Sequence, residues 1–429
     1  MPESEPKLWE TAVGIVKRLR DEGHEALFAG GCVRDRLMGI PAKDVDIATS
    51  ARPDVVKSLF PRCLGVGESF GVVIVLTGGS RFEVATFRLE SDYEDGRHPG
   101  RVKYSDARQD VERRDFTING LLLDPLDGDR VIDYIGGQAD LEKGVIRAIG
   151  EPERRFAEDH LRMLRALRFA ARFGFEIEPA TFMAIREQAR SIHRVSAERI
   201  NEELIGIFTC PRPERGLGLL DESGLLAEVL PEVEALKSSG DVYSHTRAML
   251  GSMKDPTETL AFGVLLQAFG QLEAGSSTAG KICGRLRFSG EQTRRIKALV
   301  ENHSSFRSVE TMSLRELKRF LRQEHFEEHL ELHRLDCESG DGDLSHWEFC
   351  CCKLEEIPED RLWPPRLLTG DDLLEMGFDP GPEFKEILLA VENAQLEETL
   401  VTAEEAKEFV LDRWSPSGPS ELDTKPEPK

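Results

Sequence analysis

The chain has 429 residues, 40% of them hydrophobic and 31% charged, with a formal net charge of -23. That length exceeds what one hydrophobic core ordinarily serves, so several domains are expected. No apolar run reaches the ~18 residues that span a bilayer and the N-terminus is not signal-like, which points to the cytoplasm and away from membranes, and the acidic balance excludes a protein that coats nucleic acid non-specifically, because such binding neutralises phosphates.

The first expected element is a helix over residues 5 to 22, followed by a short buried strand in "EALFAG" that stops at Gly30-Gly31, where a second helix begins. A strand over 44 to 48, a helix from about Pro53 and β-rich runs in "CLGVG", "GVVIVLT" and "RFEVATF" complete a small mixed α/β domain. From about Pro152 to roughly Val410 the patterning is helical, and "SPSGPSELDTKPEPK" has the composition of a disordered tail. Basic charge is local: Arg147, Arg154, Arg155, Arg162, Arg165, Arg168 and Arg172 crowd one stretch, while the C-terminal third is acidic.

Two features of the first domain carry chemistry. A strand, a double glycine and a helix let backbone N–H groups approach an anion closely, since glycine has no Cβ and a helix N-terminus favours negative charge; Arg34, one turn in, is placed to add a charge-assisted bond to a phosphate. Asp44-Val45-Asp46 sets two carboxylates on one face of a strand, where they repel unless a cation lies between them. Such hard oxygen donors suit Mg²⁺ held together with substrate phosphates. Glu83, in "RFEVATFR", is the candidate third carboxylate of a two-metal clamp, and needs a partner if it is buried among Phe82, Val84 and Ala85.

With those residues named, "GGCVRDRLMG…KDVDIAT", "FEVATFR", "YEDGRHP", "RRDFTINGLLLDP" and "FAEDHLRMLRALRFAARFGF" resemble, in order, the motifs of class II tRNA nucleotidyltransferases and bacterial poly(A) polymerases of the polymerase-β superfamily. The resemblance covers residues 28 to about 205, with a weaker similarity at "LLTGDDLLEMGFDPGPEFKEIL". It implies an α/β polymerase-β-like nucleotidyltransferase head, a small mixed sheet with helices, followed by an all-α neck, body and tail. The expected divisions are a catalytic head over 1–150, a base-recognising neck over 151–215, a body over 216–310, a tRNA-contacting tail over 311–413 and a disordered end over 414–429. It further implies that Gly30, Gly31 and Arg34 meet nucleotide phosphates, that Asp44, Asp46 and Glu83 are catalytic and hold Mg²⁺, and that Arg114 binds the incoming nucleotide. The implied activity is template-independent addition of C and A to the 3′ end of tRNA from CTP and ATP, with poly(A) polymerase or a non-catalytic RNA-binding ATP sensor as alternatives. The oligomeric state is left open.

The segment "EPERRFAEDHLRMLRALRFAARFGF" reads as one amphipathic helix from which Asp159, Arg162, Arg165 and Arg168 project on broadly one side. Aspartate only accepts and arginine only donates, so Asp159 with Arg162 matches an amino group beside an unprotonated ring nitrogen. Cytosine and adenine present that edge; uracil and guanine would leave buried polar groups unpaired, at ~1–3 kcal/mol each. Arg165 and Arg168 are expected at the triphosphate or ribose. The arginines have no matching acidic row in the same segment, unlike a merely solvated face.

Within the resemblance, Glu68-Ser69 stands where poly(A) polymerases of this type carry a basic pair, which favours tRNA, and "LESDYEDGRHPGRVKYSDARQDVE" keeps the flexible loop that enzymes adding only the two cytidines typically lack, which favours CCA addition, or A addition alone, over CC addition. Gly120 replaces the family's usual Ala in "FTINGLLLDP". Gln267 and Ala268 stand where relatives have a His-Asp pair, so no second, hydrolytic metal site is expected despite His245. "GSSTAGKI" approaches a phosphate-binding loop but ends in Ile282, losing the hydroxyl that would meet Mg²⁺, and is expected to be a flexible loop. The eight cysteines form no C-x-x-C pair and are expected to be reduced thiols; adjacent residues in Cys350-Cys351-Cys352 point apart, which disfavours a metal site there.

Overall fold

The computed structural model describes residues 5–65, 71–93, 99–271 and 275–415. The chain divides into two compact units, residues up to 265 with 280–293, and residues 266–279 with those from 294 onward. The divisions expected near 150 and 215 fall inside the first unit, and the expected body is shared between the two.

The first unit begins with α1 (Glu5–Asp21), β1 (Ala26–Ala29), α2 (Gly31–Leu37), β2 (Ile47–Thr49) and α3 (Pro53–Leu59). It continues through β3 (Cys63–Leu64), β4 (Val72–Thr77), β5 (Ser80–Thr86), β6 (Arg88–Tyr93), β7 (Pro99–Tyr104) and α4 (Ala107–Glu112). After a 3-10 turn at Thr117–Asn119 come β8 (Leu122–Asp124), β9 (Arg130–Ile132) and α5 (Gly137–Lys143). Seven strands form one sheet in the order β3, β4, β5, β2, β1, β8, β9. Only β2 and β5 run parallel within it, with Ile47 opposite Val84. One face is covered by α1, whose Ala12, Ile15, Val16 and Leu19 follow helical spacing and pack with Phe28, Ile47, Phe82 and Val84. Leu27, Ala48 and Leu122 point the other way and pack with Phe87 and Val111, so the central strands are buried on both sides.

Two sequence expectations shift here. The ladder of β2 starts at Ile47 rather than Asp44, which leaves both aspartates at the mouth of the strand, although the Asp46 carbonyl already accepts the Ala29 N–H at 3.0 Å. The expected loop after "ATFR" is largely ordered as the antiparallel hairpin of β6 and β7 followed by α4; its tip, 94–98, and the Glu68-Ser69 pair lie outside the described residues.

Beyond the sheet lie β10 (Val145–Ile146), α6 (Pro152–Glu158), α7 (Arg162–Phe173), β11 (Glu176–Ile177), α8 (Pro179–Gln188) and α9 (Ala197–Phe208). The parallel pairing of β10 with β11 has no counterpart in the sequence reading, because two-residue strands carry no periodicity. The single helix expected over 151–175 is two helices. Asp159 takes extended angles, φ −148° and ψ 105°, and its carboxylate accepts the Leu161 N–H at 3.1 Å. A short acceptor that satisfies a backbone donor locally competes with the helix and starts α7 afresh. Gly174, at φ 72°, ends it.

The second unit is helical where described, with one core cluster built on Phe306, Phe320 and Phe326 and another on Leu373, Ile387 and Val391. Lys318, whose side chain is 1% exposed, reaches Glu398 at 2.9 Å. "GSSTAGKI" is not a loop: it opens the helix Gly275–Arg285, in which Ala279, Ile282 and Cys283 are fully buried at helical spacing. All eight cysteines are free thiols, with Cys350 buried and Cys352 exposed. Residues 416–429, nearly all of the expected disordered end, lie outside the described residues.

Candidate active site

The carboxylates come together because β2 and β5 are parallel neighbours. With Ile47 opposite Val84, Asp46 and Glu83 sit side by side one position earlier, and Asp44 is two residues further out on the same alternating face. Val45 between them is 1% exposed, whereas Asp44 is exposed and Asp46 half-buried. Glu83 is exposed while Phe82 and Val84 are buried, so it needs no buried partner and faces the same opening as the aspartates. Burial, then the charges of Asp44 and Glu83, push the Asp46 carboxyl up to about 7, with only Arg114 acting in the opposite sense. Three mutually repelling hard oxygen donors are the chemistry of a divalent-cation site, although among the described residues no His, Cys, Asp or Glu side chains are gathered into a ready-made cage of three.

Beside them, Gly30 turns with φ 76° and ψ −130° ahead of the seven-residue α2. A Cβ there would stand 3.0 Å from Arg114 Nη1, so the absent side chain is what lets Arg114 lie over the turn. Arg114 Nη2 binds Asp110 at 3.0 Å and Nη1 reaches the Asn119 carbonyl at 3.4 Å; Nε is buried with no partner. Burial would raise the Asp110 carboxyl, but the guanidiniums of Arg113 and Arg114 outweigh it and hold it below its usual range. A methyl on Gly120 would come within 2.5 Å of Ile135 Cδ1, so in this chain the isoleucine fills the room that the family's alanine would take.

The remaining expected residues are placed differently. Arg34 does not face an open phosphate site: it is 3% exposed, bound to Asp35 and Asn119 and covered by Phe169 and Phe173. Asp159 and Arg162 are not one donor–acceptor pair. Asp159 is held by Arg199 of α9 at 2.8 Å, while Arg162 donates to Glu158 at 3.0 Å and to the carbonyls of Arg155 and Arg113 at 3.0 and 3.2 Å. The arginines of α7 do have acidic partners, supplied by other elements. Arg165 meets Asp115 at 2.8 Å and Glu203 at 3.7 Å, Arg168 meets Glu203 at 2.6 Å, and Arg172 faces Asp35 at 3.6 Å. Burial would raise Asp115, but Arg165 together with Asn119 and Arg162 lowers it to about 2.

Sequence reasoning missed Asp110, Asp115, Asn119, Arg199 and Glu203. Asp115 and Asn119 lie inside the quoted "RRDFTING" and Arg199 and Glu203 stand one turn apart in "AERINEEL", but spacing alone names no partner across space.

Residues 26–147 match the "Poly A polymerase head domain" and residues 174–237 the "Probable RNA and SrmB- binding site of polymerase A". The chain is 42% identical over 216 residues to a CCA-adding enzyme of Ligilactobacillus salivarius, an alignment covering 50% of this chain and 53% of that protein. It is also 42% identical over 220 residues to that of Geobacillus stearothermophilus, covering 51% and 54%. Over these stretches the chain is similar to the tRNA nucleotidyltransferase and poly(A) polymerase family. The solved CCA-adding enzyme of Bacillus stearothermophilus in complex with CTP superposes with a TM-score of 0.77 at 28% identity, covering 94% of this chain and 97% of that one. By sequence the chain spans about half the length of the curated relatives it matches. The polymerase-β-like head with its mixed sheet and the mostly helical remainder match the fold of that solved enzyme, as the motifs led one to expect. Among the described residues no helix is long and apolar enough to cross a membrane.

Proposed function

We propose that this protein adds C and A nucleotides to the 3′ end of tRNA from CTP and ATP without a template, releasing pyrophosphate. The observation that carries the reading is the meeting of Asp44, Asp46 and Glu83 opposite Arg114 at a turn kept open by Gly30. Its support from similarity is the relatedness to CCA-adding enzymes, one of them solved in complex with CTP.

Asp44, Asp46 and Glu83 are the residues that would hold Mg²⁺, whose bound form supplies charge neutralisation for an in-line displacement at a phosphate. Gly30 and Gly31 leave the backbone of the turn uncovered by side chains of their own, and Arg114, which lies over that turn, orients the triphosphate. Asp159 retains acceptor capacity beyond its bonds to Leu161 and Arg199, enough to take an amino group of cytosine or adenine. Arg162 spends three of its five N–H donors on Glu158 and on the carbonyls of Arg155 and Arg113, which leaves donor capacity for the ring nitrogen. Arg165 and Arg168 hold the ribose or triphosphate side of the base reader. The division proposed is a catalytic head to 150, a neck to 215, and a body and tail that grip tRNA by shape and backbone, in the cytoplasm.

The deciding experiment incubates the protein with labelled CTP, ATP, UTP or GTP and tRNAs ending before the first C or after the second. Addition of C, C and A and rejection of U and G supports the reading. The match of residues 26–147 to a poly(A) polymerase head favours a second reading, in which long runs of A are made and CTP is ignored in the same assay.

A further inference from the structure

Arg34 is expended entirely inside the protein. Nε and Nη2 donate to Asp35 Oδ1 at 2.8 and 2.6 Å, and Nη1 donates to Asn119 Oδ1. Its planar head lies 5.1 Å from the ring centre of Phe169 and 4.8 Å from that of Phe173, two rings of α7 stacked within 4° of parallel. The groups that bind Arg34 reach α7 as well. Asp35 faces Arg172 at 3.6 Å, and Asn119 Nδ2 donates to Asp115 Oδ1 at 3.0 Å while Arg165 Nε donates to Asp115 Oδ2 at 2.9 Å. A residue of α2, three positions after the glycine turn, is thus bonded to the turn before β8 and packed under the helix that carries Arg165 and Arg168.

We infer that Arg34 is a positioning residue that pins α7 to the glycine-turn side of the sheet and so sets the arginines of α7 relative to the carboxylates of β2 and β5. The assignment rests on the proposed nucleotide addition and deepens it. A guanidinium suits the task because it is flat, offers a rigid fork and stacks on aromatic faces; an ammonium does none of these. At the glycine turn itself, phosphate binding is then left to Arg114 and the backbone, and damage at Arg34 falls first on nucleotide choice through Arg162 at the start of α7, since displacing a positioned group by about 1 Å costs up to ~10²-fold.

The test compares Arg34→Lys and Phe173→Leu with the parent, using a tRNA that lacks its 3′ end. It measures kcat/KM for CTP and for UTP, and inhibition by inorganic tripolyphosphate. In both variants the CTP-to-UTP ratio should fall about tenfold while tripolyphosphate inhibition changes less than about twofold. Inhibition weakened about tenfold with the ratio intact would make Arg34 a phosphate contact and overturn the inference, as would an unchanged ratio in both variants. Should Arg34→Lys not fold, Phe173→Leu decides alone, an intact ratio overturning the inference. Failure of the parent to add CTP at all would instead remove the proposed function, and this inference with it.

Discussion

Asp159 and Arg199 meet fork to fork: Arg199 Nη2 donates to Asp159 Oδ2 at 2.8 Å and Nη1 to Oδ1 at 3.3 Å. The pair joins the break between α6 and α7 to α9, so the carboxylate proposed to read the base is aimed by a residue 40 positions away in sequence. Truncating the arginine frees Asp159 to rotate. Arg199→Ala should therefore lower the CTP-to-UTP ratio of kcat/KM about tenfold while leaving tRNA affinity within about twofold. Equal selectivity in variant and parent, measured by single-turnover addition, would remove Asp159 from base reading or Arg199 from its support.

Asp46 is the most enclosed of the three acids, squeezed by burial and by Asp44 and Glu83. Asp46→Ala should reduce nucleotide addition by at least ~10³-fold, comparable to losing a principal electrostatic element of an active site. Binding of tRNA, followed by gel shift, should persist. Chelation with EDTA should reproduce the loss in the parent and Mg²⁺ should reverse it; activity that survives both treatments contradicts the assignment of the acids.

Asp115 provides a pH signature of the polar network below the site. Its carboxyl is lowered from 3.8 to about 2 although burial opposes this, because Arg165, Asn119 and Arg162 favour the charged form. The native state therefore binds this proton more weakly than the unfolded chain. Its contribution, about 2 kcal/mol, is present above the unfolded value near pH 4 and is lost as pH falls through about 2. Asp115→Asn should flatten the decline in urea midpoint over that window and lower the midpoint at neutral pH. A variant with the parent's full acid slope would show that the stabilisation lies elsewhere.

Two glycines with opposite surroundings test the packing. A Cβ on buried Gly137 would sit 2.3 Å from the Thr117 carbonyl, in the turn that carries Asn119, so backbone must move. Gly137→Ala should cost ~3 kcal/mol or more and depress activity together with the melting temperature. Gly14, exposed within α1 with nothing within 4 Å of the same added atom, should instead gain ~0.5–1 kcal/mol on change to Ala. Equal melting shifts in the two variants would mean that the contact at Thr117 is not rigid.

The local pattern was sufficient for the strand, double glycine and helix at 26–37, for the paired aspartates, and for Glu83 on a strand whose neighbours are buried, since period-two burial and glycine punctuation are written in nearest neighbours. The family motifs supplied the polymerase-β-like class of the head, but neither the β6–β7 hairpin nor the place of Arg114 over the glycine turn. What needed the tertiary structure were the partners. Arg34 looked like a phosphate ligand because its burial under Phe169 and Phe173 depends on a helix more than a hundred residues later. The α7 arginines looked unpaired because Asp115 and Glu203 come from a turn and from α9. Asp159 looked helical because helical spacing does not reveal that a carboxylate will satisfy the Leu161 N–H and an arginine of another helix instead. Periodicity along the chain encodes which face is buried, whereas the pairing of a charge is decided by which segments packing brings within about 3 Å, and that distance exists only in the folded molecule.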